Sequence, residues 1–458
     1  MLKIEEFSCY HLKTKKTYLL LLCLYIITIP FQKIIWLPIV NSKIQIPEII
    51  FVILILLVIP KLTWANWKNI KITSLDKAII LWFIIGIINL IIHFNVTTFL
   101  ELSGQFYLYC LYFLIQFIFF NSQAKEIELF FAKAFITQLA LIIITLFIGL
   151  TLLTQDINIG VFQIFYSYPY FGDLYRLKVL TNEPVMLVSI LSIPFWIIIV
   201  LMKRKIEIIP IKKWGIILLI IIIGLMLLST YGKSLPFILA ILILYFITLL
   251  KNIKIIFVSL FASFLIISSI LLTHIIVTKK PFREKEVYGL AIPFLKIDNY
   301  YIYKSWYYVQ KENAIKEFIE HPYFGCGGGN LLNVIGLKYK KTKETILRPV
   351  YDPLSTYTGI LAEYGISGFL TLLFLMFTIY KEVVRLPDSN GLKWIFICSF
   401  SYFMLEAIST DIQNFRHLWI LLGFFGVTVR SQQYPVDLKY NRTYNVTSSI
   451  RIYDTIDF

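Results

Sequence analysis

Long apolar runs, each bounded by charge or proline, divide this sequence from end to end. A run of about 17–25 such residues crosses about 30 Å of hydrocarbon as a helix. Inside lipid every backbone N–H and C=O needs an internal partner, which leaves helices and closed barrels as the spanning structures. The runs fall at about 17–35, 44–60, 78–94, 99–120, 128–152, 184–202, 214–230, 235–250, 254–277, 356–380, 393–409 and 416–430. With 458 residues, 58% of them hydrophobic, and a mean hydropathy of +0.77, the chain lies outside the range of soluble domains. The sequence therefore predicts an all-α fold, a polytopic membrane protein of about twelve transmembrane helices, with residues 1–458 forming a single integral membrane domain.

The formal charge of +16 would suit nucleic acid if it formed one basic stripe. Instead Lys and Arg sit in short clusters between apolar runs, at Lys13, Lys15 and Lys16, at Lys68, Lys71 and Lys77, at Lys203 to Lys205, and at Lys381, Arg385 and Lys393. Short basic loops stay cytoplasmic, so these alternate loops set the orientation. Both termini are then expected in the cytoplasm, with a cytoplasmic tail over 431–458. The basic, apolar N-terminus is followed by Pro30, Trp36 and Pro38 rather than by a small-residue cleavage site, so it reads as a retained first span. The five cysteines form no CxxC pair, which argues against a zinc site or disulfide framework.

Two outward segments break the charge rule. One is Thr154 to Glu183; the other is a large polar loop at about 278–355. Cations kept outside, namely Arg176, Lys178, Lys233, Arg283, Lys304 and Arg348, suit a diphosphate or another anion at the bilayer surface. Within the loop, Ser305 to Glu320 has helical spacing, with Tyr308, Ile315, Phe318 and Ile319 on one face. His321-Pro322 should end that helix. The cluster Gly325-Cys326-Gly327-Gly328-Gly329-Asn330 follows, and its glycines permit left-handed backbone and close approach of a ligand or another segment. It follows no predicted strand and has no Walker lysine, which argues against a nucleotide loop. Glu183 at the mouth of a span and Glu363 inside one are carboxylates beside hydrocarbon, a costly position unless paired or functional. Asp411 and Arg416 offer another pair on the last outward turn.

These features resemble the O-antigen ligase and O-antigen polymerase (Wzy-type) superfamily of bacterial membrane glycosyltransferases. The resemblance rests on His321-Pro322-Tyr323-Phe324-Gly325-Cys326-Gly327-Gly328-Gly329-Asn330, on Glu363-Tyr364-Gly365-Ile366-Ser367-Gly368, and on Arg176 leading to Glu183-Pro184. It covers about 174–373, including the loop at 278–355, which it implies is periplasmic. The family usually has Ser-Arg where this chain has Gly232-Lys233, which keeps the cation but not the bidentate fork. Ligases have His-Asn where this chain reads Leu354-Ser355-Thr356, so polymerisation fits better.

The resemblance implies a polymerase in the bacterial inner membrane, joining undecaprenyl-diphosphate-linked oligosaccharide repeat units at the periplasmic face. It implies no cofactor and no metal, with membrane lipids, a chain-length regulator and a flippase as partners. Cleaving the anomeric C–O bond leaves a lipid diphosphate whose growing charge calls for fixed cations. Arg176, Lys233, Lys304 and Arg348 are the expected substrate-binding cations, with Gly325 and Gly327 allowing close approach. Glu183 or Asp352 is the expected base for the attacking hydroxyl, whereas His321 reads as a helix stop. The alternatives are a polysaccharide ligase with another acceptor, and a lipid-linked oligosaccharide flippase or transporter.

Overall fold

In a computed structural model of the chain, the described residues are 2–32, 35–39, 42–61, 71–120, 122–155, 165–168, 174–181, 183–204, 213–230, 235–247, 262–268, 270, 274–278, 295–335, 354–387 and 391–434. Helices predominate. In chain order they are α1 (Leu2–Thr28), α2 (Ile46–Val58), α3 (Ser74–Ile92), α4 (Val96–Ile118), α5 (Ala124–Thr154), α6 (Pro184–Arg204), α7 (Lys213–Ser229), α8 (Leu235–Ile247), α9 (Trp306–Glu320), α10 (Thr356–Arg385), α11 (Leu392–Glu406) and α12 (Arg416–Gln433). Among the described residues four, α3, α4, α5 and α10, are long and apolar enough to cross a membrane. Large apolar side chains such as Phe374 and Phe377 stand exposed on α10, as expected of a membrane protein facing lipid.

Helix starts follow capping chemistry. Thr73 opens α3 by accepting from the Asp76 amide, while the Asp76 carboxylate accepts from the Thr73 amide at 2.7 Å. Asn95 caps α4 by accepting from the Thr98 amide at 2.8 Å. In the bundle, α10 packs on α3, α12 on α4, α11 on α6, and the loop helix α9 on α10. Phe131, Phe135, Phe396, Phe424 and Phe425 interlock at the heart of the core.

One buried ion pair ties the bundle at the start of α3. Arg430 Nη2 lies 2.8 Å from Asp76 Oδ2, and Asp76 Oδ1 accepts from Tyr112 at 2.7 Å and Gln116 at 2.8 Å. Such a carboxylate is tolerable because every lone pair facing the protein is used.

The expected helical fold holds for most of the described residues, among which three small antiparallel sheets accompany the helices. They pair β1 (Ile35–Ile39) with β2 (Ser42–Gln45), and β3 (Phe165–Tyr168) with β4 (Leu174–Leu177). The third has the order β5 (Ile275–Thr278), β7 (Tyr300–Lys304), β6 (Leu295–Ile297). The run expected to be helical to 277 therefore ends in a strand, because Ile275 to Thr278 find backbone partners in Tyr301 to Lys304.

Candidate functional site

The glycine turn after His321 is seated in a break of α10. Gly365 has φ 64° and ψ −161°, which interrupts the helical ladder and strands the carbonyls and amides around it. The turn supplies their partners. The amides of Cys326 and Gly327 donate to the carbonyls of Ala362 (2.9 Å) and Glu363 (3.0 Å), and the amide of Ile366 donates to the Pro322 carbonyl at 2.8 Å. Asn89 on α3 completes the junction: its Nδ2 donates to the carbonyls of Phe324 (2.8 Å) and Glu363 (3.0 Å), and its Oδ1 accepts from the Gly328 amide at 2.8 Å.

Glycine is required on both sides of this contact. Gly325 (φ 68°) and Gly327 (φ 103°) are left-handed, and a Cβ at Gly325 would overlap the Glu363 carbonyl. The two expected ligand-contacting glycines are thus buried and bonded to the protein through their amides, Gly325 to the His321 carbonyl at 3.0 Å. Nonhelical backbone beside hydrocarbon persists only when protein covers it in this way.

Arg176 lies on β4, opposite Tyr166, and its Nε donates to the Thr230 carbonyl at 2.9 Å. Thr230 immediately follows α7, so Arg176 is joined to the end of that helix. Between Arg176 and Glu183, Val179 has φ 46°, a rare state for a β-branched residue that marks local strain. Thr181 secures this bend by donating to the carbonyls of Lys178 (2.6 Å) and Glu183 (2.8 Å). Burial pulls the Lys178 ammonium below its ordinary range. Glu183 is exposed at the start of α6.

Ser305 caps α9, and the helix ends at His321, where the sequence predicts its stop. Lys304 bonds Glu312 at 3.0 Å and lies 4.7 Å from the Tyr308 ring centroid, while Lys316 approaches the same carboxylate at 3.3 Å. The bond from Lys304, reinforced by Lys316, holds the Glu312 carboxyl below its usual range, and the bond to Glu312 raises the Lys304 ammonium. Lys311 differs. Its ammonium contacts His274 Nε2 at 2.7 Å and donates to the Ile408 carbonyl, and burial lowers its pKa to about 8. Glu317, Glu320 and His321 bring ligand atoms within 4.8 Å of one another, a group that could hold a metal ion.

A mostly apolar groove runs along α10, α11 and α12. Its lining is mostly apolar, with Leu375, Met376, Ile379, Phe400, Leu418 and Leu422, and includes Gln105, Thr356 and Gln413. Thr356 ties α10 to the α11–α12 turn: its amide donates to the Ala407 carbonyl at 2.9 Å, and its hydroxyl accepts from the Ile412 amide at 2.9 Å.

The structure joins the two motif segments about Gly327 and Glu363, and separately joins Arg176 to the end of α7. Lys233, Arg348 and Asp352 lie outside the described residues. Arg416 takes Glu48 and Gln45 as partners where the sequence offered Asp411, whose Oδ1 accepts from Thr356 and Gln413 instead. Sequence reasoning missed Asn89, Lys311 and Glu406. Glu406, wholly buried, accepts from Ser189 at 2.6 Å, and its place inside an apolar run was the available signal. Asn89 and Lys311 carried no comparable signal, because an Asn near a helix end and a Lys on a polar face are ordinary. No protein-family model matches the chain, and no curated protein matches its sequence.

Proposed function

We propose that this protein is a membrane glycosyltransferase that joins undecaprenyl-diphosphate-linked oligosaccharide repeat units on the outer side of the cytoplasmic membrane, as a surface-polysaccharide polymerase. The observation that carries the reading is the meeting of its two motif segments: the turn after His321 and the segment from Glu363 to Gly368, distant in sequence, interlock through the bond of Gly327 to Glu363. Topology of about twelve spans with both termini cytoplasmic puts this junction and the cations of α9 on the periplasmic side. There a lipid diphosphate leaving group would meet Arg176, Lys233 and Arg348, and Glu183 or Asp352 would take the acceptor hydroxyl's proton. Lys304 shares Glu312 with Lys316.

A transporter reading draws on the broken helix α10, since transporters bind substrates at such breaks. Here the freed groups of Ala362, Glu363 and Ile366 are bonded to the loop turn, which favours a structural junction over a substrate site. The test is reconstitution of the purified chain with lipid-linked repeat units and no ion gradient. Longer glycans on undecaprenyl diphosphate support polymerisation, and transfer to a different acceptor supports a ligase. Translocation without any new glycosidic bond would overturn the enzyme reading.

A further inference from the structure

We infer that His274 and Lys311 form an acid-sensitive clasp, which ties α9 to the α11–α12 turn while the His274 ring is neutral and lets go when that ring takes up a proton. This goes beyond the proposed function and does not depend on which reaction the chain performs. The clasp joins three segments distant in sequence. Lys311 stands on α9; its ammonium contacts Nε2 of His274, just before β5, at 2.7 Å, and donates to the carbonyl of Ile408, between α11 and α12. The other ring nitrogen, Nδ1, meets the Ile270 carbonyl. A carbonyl only accepts, so Nδ1 carries the proton of the neutral ring and Nε2 turns its lone pair toward Lys311.

An ammonium has donors only, so the Lys311 bond exists while Nε2 is bare. Burial lowers the Lys311 pKa to about 8, so near neutral pH the lysine is charged and the pair carries one positive charge. A second proton, on Nε2, sets two donors and two charges against each other with no lone pair between them. The histidine is anchored, through Nδ1 at Ile270 and through its carbonyl, which accepts from the Ser305 amide at 2.8 Å. Lys311, on its flexible stem, is therefore the partner that swings away, and its bond to Ile408 goes with it. The charged groups of the packed elements are bonded as follows. Lys304, at the end of β7 opposite Ile275, bonds Glu312, which also pairs with Lys316. Beyond the turn, Glu406 accepts from Ser189, and Asp411 from Thr356 and Gln413. The turn that Lys311 holds is also bonded to the start of α10, through Ala407 and Ile412 to Thr356, so the clasp governs how α9 meets that part of the bundle. The open form is the one that takes up the proton. The clasp therefore holds above about pH 6.5, the ordinary histidine value, and each pH unit below it shifts the balance about tenfold toward open.

The test is hydrogen exchange of the α9 amides in the full chain in nanodiscs, at about pH 7.5 and about pH 5.5, with each rate divided by the intrinsic exchange rate at that pH. In the wild type, protection should fall about tenfold at the lower pH. His274→Gln, whose side-chain oxygen accepts from Lys311 without titrating, should keep the same protection at both. Lys311→Met, which has neither bond, should show low protection at both. Equal protection at the two pH values in the wild type would overturn the clasp. So would an acid loss in His274→Gln as large as that of the wild type, or an acid loss that persists in Lys311→Met.

Discussion

The amide of Gly327 donates to the carbonyl of Glu363 at 3.0 Å, joining the glycine turn after α9 to the interior of a long helix. Neither residue has this bond available by default. Gly327 reaches it through a left-handed backbone, and the Glu363 carbonyl is released because α10 breaks at Gly365.

Replacing Gly365 by Ala should therefore unfasten the junction. Backbone at φ 64° and ψ −161° is essentially confined to glycine, and a side chain there would also overlap the Tyr323 carbonyl. The expected loss is about 1–3 kcal/mol from backbone alone, read as a lower unfolding midpoint of the purified protein. An unchanged midpoint would refute the break.

Asn89 gives a second handle on the same contact. Asn89→Ala removes three hydrogen bonds, and each buried group left bare costs about 1–3 kcal/mol. Asn89→Asp should be at least as damaging, because a carboxylate oxygen would face the Phe324 and Glu363 carbonyls. Limited proteolysis within 321–335 should accelerate in both variants, and equal cleavage rates would count against the clamp.

The Asp76–Arg430 pair predicts a non-additive pattern. Arg430→Met alone should cost about 3–5 kcal/mol by leaving a buried carboxylate, whereas pairing it with Asp76→Asn should recover much of the loss. Denaturant unfolding of the single and double variants measures the coupling. Additive losses would mean that the two groups do not act as a pair.

Arg176→Ala and Lys233→Ala should insert in the membrane at wild-type levels yet lose polymer. The comparison is the glycan chain-length ladder against membrane abundance. Normal ladders in both variants would remove these residues from the proposed site.

Orientation is open to labelling. Ile319, 69% exposed on α9, offers a position for a single introduced cysteine. Ile319→Cys should react with a membrane-impermeant maleimide added outside intact cells freed of their outer membrane. Reaction only after permeabilisation would invert the proposed topology.

Local pattern made much of this architecture legible. The run expected at 356–380 became α10 at Thr356–Arg385, and the spacing from Ser305 to Glu320 became α9 with Ser305 as its cap, since a helix and its ends depend on neighbours in sequence. The strands were hidden because Ile275 to Thr278 look like the end of an apolar helix until Tyr301 to Lys304 come alongside. Asn89 was invisible for the same reason, with partners contributed by Glu363 and by the loop. Arg176 and Lys304 were singled out by residue type, but only geometry reveals that Lys304 already has Glu312 and that Lys311 has no such acid among its described bonds.

The broken helix also imposes an order of assembly. Its exposed backbone finds partners on Pro322, Cys326 and Gly327, which leave the ribosome before Gly365, and on Asn89, which leaves it earlier still. A nascent α10 thus arrives at a mould whose other parts have already been synthesised, and it can bend at Gly365 on contact instead of threading a finished loop into a finished helix.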